Sequence, residues 1–577
     1  MKAPLITLLL LVAFSHAALA QDNPVLPDLA PREVEITGEL TISFPSLRRQ
    51  PLVGFNPPPR IPDVPDARTP FAEEYLQRRA DLPLSPLRAP AGPAVSAYAQ
   101  GPRFDGSIEA GFGFHAQRYL AVDWASLASA RTEWQVKAGY EGRSGFSPVT
   151  AAGSSSASYD LGRFQARLST PLGSWRIGGE TEGTLQSYTL YAALPSATAI
   201  SNPAPVRSGR DGQVSVWLAK KSGIHRIRLE AGLGAGQIET DLFDPAVRVD
   251  PRTDRSDAAA RVSLALESGG EERALIADAS IGVQSFDGVS PANPELTTFS
   301  VLAGSRLRVG DGIRVHAGLR ILGFEADRAA TGTGRRVFTW LSPEVRIEAT
   351  ALPNLRFVVE NTPGMGSARL VDLYRENPFA VDSPSLEPEL RPIDASARGV
   401  LTSGRLEFTL GTRLKSSPNR RYFEYVAQNL GGYERGISVV SYGRARELGA
   451  EAEAAIYIGA GFRFRLGGEI RSARLTDLDT DLPYFAPWAA QAMLSSAFDA
   501  GKGLVQVTGR IEGSRPIDEL GTATLDPFAD LDVMASYRVT RAASAVVRLE
   551  NLAGNRPEWD GYLRPSPLVT AGLLWQF

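Results

Sequence analysis

From Phe104 to the last residue, apolar and polar side chains alternate with a period of two in one stretch after another. In "GFRFRLGGEIR", Phe462, Phe464, Leu466 and Ile470 fall on one face of an extended strand. Arg463, Arg465, Glu469 and Arg471 fall on the other. "GRLEFTLGTRLK" repeats the pattern, with Leu406, Phe408, Leu410 and Leu414 opposing Arg405, Glu407, Arg413 and Lys415. One such strand is merely half exposed in a soluble sheet. A long succession, with hardly any helical pattern to cover the apolar faces, requires another apolar medium. The final "LVTAGLLWQF" fits the same rule, with Val569, Ala571, Leu573, Trp575 and Phe577 on one face.

The connections sharpen this reading. Short turns such as "KKSG" at 220–223, "LPN" at 352–354, "TSG" at 402–404 and "DAGKG" at 499–503 alternate with longer loops. The longer ones lie near 191–207, 240–254, 363–392, 417–440 and 553–566. Short turns at one end and long loops at the other are expected of an outer-membrane barrel. Lipid offers no hydrogen bonds, so the sheet must close and turn its apolar face outward. The fold class is therefore all-β: a transmembrane antiparallel β-barrel over 104–577, of about 22 strands, with both ends on the periplasmic side.

The N-terminus sets the compartment. "MKAPLITLLLLVAFSHAALA" combines Lys2, an apolar run and Ala18-Leu19-Ala20, which reads as a signal peptide over 1–20 cleaved before Gln21. Export to the bacterial outer membrane follows. Segments such as "NPPPRIPDVPDARTP" make 21–103 a Pro-rich arm, poor in backbone donors and unsuited to a regular sheet. The chain has no cysteine, so disulfide and thiolate chemistry are excluded. With 61 basic and 64 acidic residues it carries no general electrostatic footprint for nucleic acid.

Four stretches in order add a resemblance. "TWLSPEVRIEATALPNLRFVVENTPGMGSARLVDLY" contains Ser342-Pro343, Gly366 and Leu373-Tyr374. "SPSLEPELRPIDASARG" carries Pro384, Leu386, Pro388 and Glu389, and "YGRARELGAEAEA" carries Gly449 and Glu451. "ENLAGNRPEWDGYLRPSP" carries Asn551, Leu552, Asn555, Gly561, Tyr562 and Pro565. Together they resemble the barrel of TonB-dependent receptors. The resemblance implies a 22-stranded barrel with a transport ancestry, and Phe577 as the terminal aromatic read by the outer-membrane assembly machinery. The family's plug domain has no recognisable counterpart in 21–103, so energised uptake is not carried over.

No catalytic or cofactor motif emerges. Of the four histidines, His16 is in the signal peptide, and His225 has no metal-site spacing to the others. His115 and His316 are expected on a hydrated lumen wall. The candidate solute contacts are the wall residues Arg405, Glu407, Arg413, Arg463, Arg465, Glu469 and Arg471. Mixed signs on each strand favour cross-strand pairing over ion selection. Loop 363–392 is the expected external contact surface. The functional expectation is a transport or receptor-like channel in contact with outer-membrane lipid, with the arm gating the lumen or binding a periplasmic protein. A non-transporting scaffold is the alternative.

Overall fold

The computed structural model describes residues 105–577 apart from 127–130, 151–152, 155, 196–203, 242–251, 288–294, 311, 328–334, 382–385, 426–432, 459–460 and 555. The expected signal peptide and arm lie outside the described residues. The wall begins with β1 (Gly106–Gly113), β2 (Gln117–Ala125), β3 (Glu133–Phe146), β4 (Ala157–Leu172), β5 (Trp175–Thr189) and β6 (Val206–Ser222). It continues through β7 (His225–Asp241), β8 (Arg252–Gly269), β9 (Arg273–Asp287), β10 (Glu295–Val309) and β11 (Ile313–Asp327). Next come β12 (Arg335–Leu352), β13 (Leu355–Asn361), β14 (Ile393–Ser403), β15 (Leu406–Tyr425), β16 (Ser438–Ile458) and β17 (Phe462–Leu475). The last are β18 (Trp488–Phe498), β19 (Gly503–Glu512), β20 (Phe528–Arg538), β21 (Ala543–Glu550) and β22 (Leu568–Gln576).

Each strand pairs antiparallel with its sequence neighbours, and β1 also pairs with β22 from Ser107↔Gln576 to Gly113↔Thr570. The sheet is thus a closed barrel of 22 strands, the expected number. One link that the turn pattern did not supply joins β2 to β3 across 126–132. The first hairpin turn, Phe114–Ala116, is tight although it lies at the long-loop end. It is made by His115 and Ala116 at φ 55° and 47°.

The period-two pattern sorts as lipid and water demand. Leu410, Leu466, Ile470, Leu573 and Trp575 are exposed on the outer face. The inner face carries paired charge: Arg320 lies 2.5 Å from Glu344 and 3.3 Å from Asp278. Arg346 and Arg356 share Glu348, at 2.8 and 3.1 Å. These pairs let a charged strand face coexist with a closed wall, because each ion keeps a partner or water.

The closing seam is narrow. Phe577 accepts amide hydrogens from Asp105 and Gly106, and its ring lies 6.3 Å from that of Trp124 on the outer surface. At Gly113 a Cβ would overlap the carbonyl of Val569 across the seam. Gly113→Val is therefore expected to block closure, measured as loss of the heat-modifiable compact band on gel electrophoresis. A normal compact band would rule this out.

Candidate functional site: a loop docked inside the barrel

The connection 362–392 between β13 and β14 contains α1 (Leu370–Glu376), the single α-helix among the described residues. Leu370, Val371, Leu373 and Tyr374 are all buried. Leu370, Leu373 and Tyr374 join one apolar cluster with Ile238 of β7, Phe286 of β9, Leu296 of β10, and Leu322 and Phe324 of β11. Those wall residues have the inward parity. Leu322 and Phe324 share the face of Arg320, and Phe286 that of Asp278. Toward the long-loop end, then, part of the inner wall changes from charged to apolar, and the loop docks there. Strands β7 and β13 are six apart, roughly 30 Å along the wall at about 4.8 Å per strand. The loop crosses the lumen.

This corrects the expectation that 363–392 is an external contact surface. Apolar residues at helical spacing cannot stay in water when an apolar wall lies within reach.

Charged latches hold the loop. The Arg369 guanidinium donates to Asp211 of β6 and, from Nε at 3.1 Å, to Asp257 of β8. Burial works against its charge, but Asp257 and Asp211 outweigh that and raise its pKa further above the ordinary arginine value. Gly234 of β7 makes room, since a Cβ there would sit 2.8 Å from Nη1 of Arg369. Arg207 of β6 is fully buried. It donates to Thr240 Oγ1 at 3.0 Å and to the carbonyls of Pro378 and Ala380 at 2.6 and 2.8 Å. Its guanidinium lies 4.6 Å from the centre of the Tyr374 ring.

The other end is tied to β15 and β16. Arg420 meets both carboxylate oxygens of Glu389 at 2.9 and 3.0 Å, and Arg421 pairs with Glu376. Asn419 accepts from the Leu390 amide and donates to the Pro388 carbonyl, at 2.9 and 2.8 Å. The Glu387 amide donates to the Tyr442 hydroxyl at 2.9 Å. Between the loop and the wall of β1–β5 lies a cavity of about 600 Å3, with Arg375, Glu109, Asp123, Lys137, Arg163 and Glu182 among its lining.

Neighbouring loops pack over this assembly. Phe379 stacks on Tyr562, whose hydroxyl donates to the Gly436 carbonyl at 2.8 Å. The Tyr191 hydroxyl donates to the Leu563 carbonyl and accepts from its amide. Burial pushes its pKa up to about 12, so it keeps its proton. Asn551, also fully buried, donates to the carbonyls of Arg564 and Pro565 at 3.0 and 2.8 Å.

The candidate contact residues do not converge on one point. Arg405 sits exposed in the turn between β14 and β15, at the short-turn mouth. Glu407 and Arg413 lie along β15, and Arg413 pairs with Asp394 at 3.2 Å. On β17, Arg463 lies over Tyr457, Arg465 pairs with Glu453 at 3.2 Å, and Glu469 pairs with Arg471 at 3.4 Å. Arg471 also donates to the Ala486 carbonyl at 2.9 Å. His316 is on the inner face of β11, whereas His115 is in the first hairpin turn, edge-on to Phe146. The functional residues missed from sequence are Arg369, Arg207, Asp211 and Asp257. The available signals were the apolar helix pattern inside a presumed loop and the unbroken apolar "ILGF" at 321–324, where alternation fails.

No family model matches this sequence, and no curated protein does. Among solved structures, the FrpB iron transporter from Neisseria meningitidis superposes with a TM-score of 0.64 at 13% identity, covering 84% of each chain. The copper transporter OprC gives 0.63 at 11% identity, over 83% of this chain and 82% of that one. BauA, the ferric preacinetobactin receptor from Acinetobacter baumannii, gives 0.61 at 12% identity, over 83% and 80%. The fold is that of a TonB-dependent-receptor barrel. Within this barrel the positions that carried the sequence resemblance have structural tasks. Leu373, Tyr374 and Leu386 are buried in the docked loop, Pro388 and Glu389 tie it to β15, and Asn551 and Tyr562 order the loops above it.

Proposed function

We propose that this protein is a channel of the receptor and transporter type in the bacterial outer membrane, inserted through recognition of Phe577, with loop 362–392 as its internal barrier. The observation that carries the reading is the polar latch from Arg369 to Asp211 and Asp257 across a charged lumen. A barrier held in part by ion pairs can be released by a solute or partner that competes for those charges. The paired wall charges favour wet passage without selecting a sign. The iron and copper cargo in the neighbours' names belongs to those proteins.

The Pro-rich arm 21–103 is the second element of this proposal, as a lumen filler on the periplasmic side or a partner-binding segment. In planar bilayers, the mature protein lacking 21–103 is expected to show a higher single-channel conductance than the intact one. Equal conductance would remove the arm from the gate. A stoichiometric periplasmic protein lost with the arm would favour the scaffold reading, to which the apolar core under the loops also lends support.

A further inference from the structure

The outer wall has a feature that passage through the lumen does not use. On the lipid face of β3–β6, toward the short-turn end, lies a groove of about 610 Å3, within the roughly 300–1,000 Å3 range of ligand sites. Its walls include Val136, Leu168, Ile177, Val214 and Val216, and Ala166 and Gly179 lie among them. Val214 and Val216 are half exposed, so the recess opens outward. Small residues on β4 and β5 between larger ones on all sides produce it. Trp134 also lines it and packs edge-on to Trp124 at 5.0 Å, beginning an aromatic band at that end.

A cation stands at the end of the groove. Two residues beyond Ile177 toward the turn is Trp175, which pairs across the sheet with Lys220 of β6. Both share the parity of the groove residues, so both face outward. The Lys220 ammonium lies 5.1 Å from the Trp175 ring centre. Its neighbour Lys221 pairs across the sheet with Arg226 and has the opposite, inward parity. A lysine laid over an interfacial tryptophan places its charge at headgroup level while its stem covers apolar surface. Val216 is four residues from Lys220, about 13 Å along the strand, so groove and cation can be occupied by one elongated amphiphile.

We propose that this is a binding site for an anionic glycerophospholipid, with an acyl chain in the groove and the headgroup phosphate on Lys220. The inference rests on the barrel lying in a membrane, and on nothing about what passes through it. An ordinary annular lipid needs only apolar surface. A recess ending in an ammonium group adds selection by charge, roughly fivefold for one lysine near an anionic surface.

The test uses the full mature protein in nonionic detergent, titrated with palmitoyl-oleoyl phosphatidylglycerol or the matching phosphatidylcholine and read by native mass spectrometry. Phosphatidylglycerol should be retained about fivefold more strongly. Lys220→Gln should bring it down to the phosphatidylcholine level, whereas Lys221→Gln, on the inner face, should leave the preference in place. Ala166→Phe, which fills the recess from the lipid side, should weaken retention of both. Equal retention of the two lipids overturns the proposal, as does a preference that survives Lys220→Gln or full binding to Ala166→Phe. Heat-modifiability of each variant shows that the barrel is intact. Bilayer conductance, a separate reading, shows whether the transport proposal fails independently.

Discussion

Arg369→Ala is expected to raise the single-channel conductance, and replacing 366–390 by a short Gly-Ser link should raise it further. Removing one partner of a buried, hydrogen-bonded charge pair costs about 3–5 kcal/mol, since the remaining charge stays desolvated. Here two carboxylates lose their cation together, and the Asp257 side chain is fully buried. A loss of that size shifts a docked-to-undocked equilibrium by a hundredfold or more. Arg369→Lys should recover only part of the closure, because one ammonium cannot reproduce a fork that reaches two carboxylates on different strands. Recordings should be made with and without residues 21–103, so that an arm filling the lumen cannot mask the effect. If the loop-replaced, arm-deleted barrel conducts no better than the arm-deleted barrel alone, the loop is not the barrier.

The second large effect concerns docking rather than conduction. Arg207→Ala removes the donor of two loop carbonyls and of Thr240, together with the cation above Tyr374. Hydrogen bonds from a charged donor contribute about 1.5–3 kcal/mol each. Tyr374→Ala empties the centre of the apolar cluster, and a large aromatic-to-alanine change in a core costs about 3–5 kcal/mol. Both variants should keep a heat-modifiable barrel, because the wall's own ladder is untouched, yet expose the loop. Limited trypsin digestion should then cut after Arg369 and Arg375 at least tenfold faster than in the native protein. Cutting at the native rate in both variants would show that the loop does not depend on this anchor.

Much of this architecture is local in origin. A period of two, read over ten residues at a time, assigns each strand an outer and an inner face, because successive side chains of an extended chain point opposite ways. Turn lengths then indicate the two ends and all but one of the connections, the β2–β3 link, and lipid's lack of hydrogen-bonding capacity requires closure. Phe462, Leu466 and Ile470, and their partners Arg465 and Arg471, were assigned correctly on that basis alone. The same rule misled at Arg405, where the strand had already given way to a turn, and at His115, which bends the first hairpin.

What the sequence determined by itself was the barrel: its strands, its two faces and its sorting of charge, all consequences of interactions between near neighbours and solvent. The tertiary structure decided that loop 362–392 turns inward, and which wall it meets. Arg369 is 158 residues from Asp211 and 112 from Asp257, and only the register of a closed sheet brings those carboxylates to one side of the lumen. The apolar residues of α1 demanded a cover. Which surface supplied it depended on Phe286, Leu322 and Phe324 facing in at the same height, a coincidence of several strands that no single stretch of sequence records.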